Sequence, residues 1–243
     1  MIKFKLSWMF LSKLLLASLI STFSLLSHAQ ISIYVMQSRT KLNYSQAERF
    51  SQVLQDAQKT LNYLPYTLGI SLINQDRQED INTLKQSVLN DLHKINTTEA
   101  NKLEKQLKSM HFAFRETLET DLIKIVTTPK QDPLLAQNYI LSLPKRPNHF
   151  VFIDTDRETP RKIKLKADQD LKGYLSKLNH PYSDSIWIIQ ANQDVYQATD
   201  QWRDKPYFLS PGAIVFAGLN GLPKEYQDIN TRVAHLLAFS MDL

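Results

Sequence analysis

The chain has 243 residues, with 29 Lys and Arg against 24 Asp and Glu, and no cysteine. That length allows one large or two small domains, and the absence of cysteine excludes disulfides and lipoprotein anchoring. The basic excess sits mainly in residues 1–29, which hold three lysines and no acid; the remaining 26 basic and 24 acidic side chains give no electrostatic case for nucleic acid.

Residues 1–29 read as a secretory leader. Lys3 and Lys5 form a positive start, Leu14 to Leu26 an apolar core, and Ser27-His28-Ala29 a small-x-small cleavage site. The core is shorter than the ~20 apolar residues a spanning helix needs, so cleavage after Ala29 is expected, leaving no stable transmembrane span and a periplasmic product.

Ile31 to Val35 alternates and is β-branched, which predicts a strand. Ser45 is placed to cap a helix running to about Leu61, with Ala47, Phe50, Val53, Leu54 and Ala57 on one side. Leu64-Pro65 breaks it, and Gly69 to Ile73 predicts a second strand.

From Glu79 the texture changes. Ile81, Leu84, Val88, Leu92 and Ile95 recur at helical spacing, then Asn96 to Glu99 resembles a cap with an acid at the third helical position. A second helix follows with Ala100, Leu103, Leu107 and Met110 on one face. Two apolar stripes joined by a short polar turn predict an antiparallel helical hairpin over about 79–110.

Strands are expected at Leu122 to Val126 and Tyr139 to Leu143, with Asp132-Pro133 in the loop between them. Lys145 to Asn148 marks a boundary. Beyond it come strands His149 to Ile153 and Lys162 to Leu165, a helix from Asp168 to Leu178, and strands Ile186 to Gln190, Val195-Tyr196 and Ala213 to Leu219. Ser210-Pro211-Gly212 reads as a tight turn ahead of the last strand. A hairpin, one helix, then further strands is the order of a β-grasp domain, and the first half fits a second copy with the helical hairpin inserted.

Pro223 then suits the first turn of a helix. Leu222, Tyr226, Ile229, Val233, Leu236 and Leu237 share a stripe about 100° wide, while Lys224, Asp228, Arg232 and His235 face the other way. The fold class expected is α+β: residues 30–147 and 148–221 as two β-grasp-like domains, then 222–243 as a C-terminal amphipathic helix.

Read in order, certain residues carry a family resemblance: Ile31 to Tyr34 after the leader, Asp132-Pro133-Leu134-Leu135, Arg146-Pro147, Gly173-Tyr174-Leu175, Trp202, Pro211-Gly212, and Leu222-Pro223-x-x-Tyr226-x-x-x-Asn230. The chain resembles the GfcC-like capsule biosynthesis family of periplasmic proteins encoded with polysaccharide-export machinery. The resemblance implies two β-grasp domains similar to those of Wza-type outer-membrane export channels. It implies a partner as well, the channel or other export machinery, or the capsular glycan. Three positions depart from the family pattern. Phe114-Arg115 stands for Gly-Arg, Leu64-Pro65 for Trp-Pro, and Asp154-Thr155-Asp156 where a glycine is expected.

Arg115 falls where the family keeps an arginine, and its guanidinium is suited to a carboxylate of an acidic sugar or partner; an internal pair with Glu116, Glu119 or Asp121 is the plainer alternative. Tyr226, Ile229, Val233, Leu236 and Leu237 form the face that would meet a partner, if it does not dock on the protein itself. Asp154 and Asp156 are taken as turn residues rather than as a hydrolytic pair. Trp187, Trp202, Tyr207 and Tyr226 are able to stack on sugars, although aromatics beside strands are usually core. No ligand spacing among the histidines and no nucleophile-elbow motif occurs, so no catalytic residue, metal or cofactor is assigned. A non-catalytic accessory of polysaccharide export is expected over an enzyme that modifies or trims the polymer. An enzyme should place two or more acids around one concave site.

Overall fold

Ile31, Ile33 and Val35 are buried while Tyr34 between them is exposed, the alternation of a strand with one face on a core. This is β1 (Ile31–Val35) of a computed structural model that describes residues 30–180, 186–198 and 206–242. The leader and Trp202 lie outside the described residues.

β1 pairs antiparallel with β2 (Thr40–Tyr44), Ile33 opposite Leu42. A two-residue β3 (Glu48–Arg49) leads straight into α1 (Phe50–Lys59), which buries Phe50, Val53, Leu54 and Ala57. The helix starts later than Ser45 because its N-terminus is capped from far away. Asp132 accepts from Ser51 N at 2.8 Å and from Ser51 Oγ at 2.7 Å. β4 (Ser71–Ile73) follows a one-turn 3-10 helix at Thr67–Gly69.

The hairpin is α2 (Gln78–Ile95) and α3 (Thr98–Ser109). Asn96, in the left-handed region at φ 51°, ends α2, and the Thr97 side chain caps α3 by accepting from Ala100 N. Cap and terminator are thus adjacent residues, and Glu99 falls at the second helical position rather than the third. Leu122 to Val126 is not a strand but part of α4 (Leu122–Thr127). Asp121 accepts from Ile123 N and Lys124 N there, and a capped turn overrides the β-branched composition. β5 (Leu134–Leu135) pairs with β3, and β6 (Tyr139–Ser142) completes the first sheet.

That sheet has the order β2-β1-β6-β4, with β1 parallel to β6 and β6 antiparallel to β4. The second half builds β7 (His149–Ile153), β8 (Arg161–Lys164), α5 (Leu171–Lys177), β9 (Ile186–Ile189), β10 (Val195–Gln197) and β11 (Ile214–Ala217). Its sheet runs β10-β9-β11-β7-β8: a hairpin of β7 and β8, β7 parallel to β11, and β11 antiparallel to β9. The Ser210–Ala213 turn closes with Ala213 N on Ser210 O at 3.1 Å, and Gly212 takes the required positive φ of 77°. The molecule is mixed α+β, with the same hairpin-plus-parallel-strand plan in both sheets.

The two faces of the second sheet are covered differently. Phe150, Phe152, Ile188 and Val215 pack on Leu171, Tyr174 and Leu175 of α5. Val151, Ile153, Trp187, Ile189, Ile214 and Phe216 share a core with the hairpin and with α6 (Ile229–Leu237). The hairpin therefore leaves the first sheet in sequence and completes the core of the second. The C-terminal helix is also shorter than its apolar stripe. Pro223 begins a 3-10 turn at Lys224–Tyr226, and the nine-residue α6 is only ~14 Å long. Among the described residues no helix is long and apolar enough to cross a membrane.

Candidate functional site

Residues 111–116 run between the two halves as a strap. His111 O accepts from Met241 N at 2.9 Å, and Ala113 N donates to Phe239 O at 3.0 Å. Farther on, Phe114 O accepts from Asn74 N at 2.9 Å and Glu116 N donates to Leu72 O at 2.8 Å, so the strap extends the free side of β4. Extended backbone is thus stitched to the first sheet at one end and to the tail of α6 at the other.

Arg115 is in the middle of this strap and is 3% exposed. One terminal nitrogen donates to Ala191 O at 2.8 Å, in the turn after β9, and the other to Ala238 O at 3.3 Å, at the end of α6. A cation there is favourable because the last carbonyls of a helix lack intrahelical donors and carry its negative end. Burial lowers the guanidinium to about 10, so it remains charged at neutral pH. The acids beside it in sequence are engaged elsewhere. Glu116 accepts from Asn74 Nδ2 at 2.7 Å, Glu119 binds the Thr120 and Asp121 amides, and Asp121 caps α4. No carboxylate among the described residues pairs with Arg115, and its Nε has no partner among them. The internal ion pair is therefore replaced by two carbonyls. Phe114, where glycine was expected, stacks on Phe239 at 5.6 Å and lies under the Arg77 guanidinium at 3.8 Å.

The stripe on the C-terminal helix faces inward. Ile229, Val233, Leu236 and Leu237 are at most 1% exposed and belong to the shared core, and Tyr226 packs against it half-buried. On the flank, Arg232 donates to Asp91 Oδ2 at 2.7 Å and to Ser87 Oγ at 2.6 Å, tying α6 to α2. A partner reaching the apolar face would have to displace the hairpin.

Asp154 and Asp156 also part company. Asp154 is buried in an ion pair with Arg161, while Asp156 is exposed in the turn that follows. Gln106 of α3, fully buried, donates to both Asp154 O and Arg157 O at 2.7 Å and clamps this turn to the hairpin. Trp187 is core, and Tyr207 is half-buried against the α5 core with its hydroxyl bonded to Gln190.

A cleft of about 500 Å³ opens where the hairpin turn, the Thr155-Asp156 turn, the end of α5 and the loop after β11 converge. Glu99 and Asp156 line it, two acids around one concave site, both exposed. A general acid or base needs burial or a close charge to set it apart from an ordinary surface carboxylate, and neither residue is buried. Among the described residues no group of three or more His, Cys, Asp or Glu gathers to hold a metal ion.

Two family models match the chain: the GfcC capsule biosynthesis N-terminal model over residues 27–146 and its C-terminal model over 159–241. The chain belongs to the GfcC capsule biosynthesis family. No curated protein matches the chain. Membership assigns the protein to capsule assembly. Of the motif residues, Asn230 was visible in the sequence only as a spacing; in the fold it binds the backbone of Leu219. The cleft had no signature in the sequence, because its walls come from four separated segments.

Proposed function

We propose that this GfcC-family protein is a periplasmic, non-catalytic accessory of capsule assembly, released from its leader after Ala29, that binds the polysaccharide export channel or the glycan itself. The observation that carries this reading is the state of Arg115. The one buried cation on the strap is held by two carbonyls and joins both halves of the molecule, so it serves architecture rather than turnover. Within the same proposal, 30–147 and 148–221 are two β-grasp domains. The hairpin, parallel and antiparallel pairings repeated in both sheets support that assignment. A contact with a Wza-type channel would use outward residues such as Lys224, Asp228 and His235, since the apolar face of α6 is covered.

Crosslinking in cells that carry the whole export locus, followed by identification of the captured proteins, tests the reading. Capture of export components or glycan from cells with normal capsule supports it. Capture of neither, with capsule unchanged on deleting the gene, overturns it. One observation favours an enzyme instead, the shared cleft of Glu99 and Asp156. If Glu99→Gln and Asp156→Asn abolish capsule at normal protein level while glycan binding persists, the enzymatic reading takes its place.

A further inference from the structure

The cleft is built before any ligand arrives. Its hairpin side runs from Ile95 to Glu99 and includes Thr97, whose side chain caps α3. The opposite turn is held by Gln106 on Asp154 O and Arg157 O and by Lys102 Nζ on Asp156 O at 3.0 Å. The third side, at Leu219, is held by Asn230. Fixed walls remove most of the ordering cost of binding, and about 500 Å³ lies within the ~300–1,000 Å³ of small-ligand pockets.

The lining is chemically mixed. Thr155, Asn179 and Asn220 are neutral groups able both to donate and to accept, as sugar hydroxyls do. Leu219, Leu222 and Pro223 supply an aliphatic surface for the C–H face of a pyranose ring. Glu99 and Asp156 are acceptors for paired hydroxyls or for an ammonium group, and no Lys or Arg is present among the described lining residues. Lys102 Nζ on the Asp156 carbonyl offsets one of the two carboxylates and His180 also lines the cleft, so a uronate or sialate is disfavoured there by the remaining acid rather than excluded.

We propose that this cleft between the hairpin and the second sheet binds a neutral or amino-sugar segment of the capsular polymer in preference to acidic sugars. The proposal rests on the accessory reading and names the ligand class. Because the hairpin supplies one wall, an occupied cleft also favours the docked hairpin.

Amide NMR of the purified protein tests this with three probes: tetra-N-acetylglucosamine, tetraglucosamine and tetragalacturonate. The first two should shift cleft resonances saturably, and tetragalacturonate should bind at least about tenfold more weakly. Thr155→Trp, which fills the cleft from an outer turn, should abolish both responses. Glu99→Gln with Asp156→Asn should weaken tetraglucosamine about tenfold and leave the N-acetylated probe within about twofold. Tetragalacturonate binding as tightly as the others, or no saccharide response at millimolar concentration, overturns the proposal. A trilysine peptide that shifts the cleft while saccharides do not would assign it to a basic protein segment instead. Capsule display separates the two readings. If deletion of the gene removes capsule while Thr155→Trp displays normally and no sugar binds, the accessory reading stands and this proposal falls. If sugars bind but deletion leaves capsule intact, the reverse holds.

Discussion

Asn230 closes on the backbone of Leu219 with both ends of its amide: Nδ2 donates to the Leu219 carbonyl at 2.8 Å, and Oδ1 accepts from its N–H at 2.9 Å. One side chain thus does what a β partner would do for the residue just past β11, and it couples α6 to the sheet. Gly218 makes room for it. A Cβ there would come within 2.7 Å of the Asn230 amide.

Asn230→Ala leaves both Leu219 backbone groups unpaired at a site 5% exposed, and should cost about 1–3 kcal/mol in urea denaturation. Gly218→Ala should cost a similar amount by pushing the amide away. The double variant should lose less than the sum of the two, since both act on one contact. Strict additivity would show that the glycine serves something else.

Arg115→Ala should be destabilising by about 2–4 kcal/mol, because two carbonyls lose their donors and a buried space opens. Arg115→Met, which keeps volume but not donors, should recover only part of the loss. Capsule display should then fall in step with the level of folded protein. Display lost at full stability would mean that Arg115 acts on a ligand directly.

Removing residues 224–243 would uncover Val151, Ile153 and Phe216 along with the hairpin stripe. Four fully buried side chains at ~1.5–3 kcal/mol each are more than a domain of ordinary stability can lose. The truncated protein should therefore fail to accumulate, as read by immunoblot of whole cells. An introduced charge at exposed His235, as in His235→Glu, is the cleaner probe of a partner on this helix, and should leave the melting temperature unchanged.

The Asp91–Arg232 pair gives a pH dependence of known sign. The bond from Arg232, followed by Lys94, holds the Asp91 carboxyl below its usual range. Its contribution is complete above the unfolded value of about 3.9 and is lost as pH falls through the lower folded value. Asp91→Asn should cost about 0.5–1 kcal/mol at pH 7, and the difference from wild type should shrink steadily as pH falls below about 3.9. A constant difference across that range would assign the effect to packing.

Asp132→Ala should cost about 1 kcal/mol by uncapping α1, and amide exchange should rise at Ser51 and its neighbours rather than at β6. Uniform loss of protection would locate the role of Asp132 in its own loop.

Local pattern was enough for the α+β class, for β1 and β7 through alternation, and for the hairpin through its three-and-four spacing, because in each case the deciding partners are within a few residues; the cap between its helices falls at Thr97, one residue later than the pattern implies. α4 was misread as a strand because composition outweighed Asp121, a one-residue signal that became decisive only with its amides in place. The stripe on the C-terminal helix was likewise legible, but periodicity marks which face is buried and says nothing of what it meets. That the hairpin covers it and completes the second sheet depends on contacts between segments more than a hundred residues apart, such as Arg232 with Asp91. The same holds for Arg115, whose partners are 76 and 123 positions away, and for the cleft, whose four walls share no stretch of chain. Spacing along the chain carries the apolar faces, most of the elements and the family; which faces meet, and which polar groups stay open to a ligand, is settled by burial and hydrogen bonding between segments far apart in the chain.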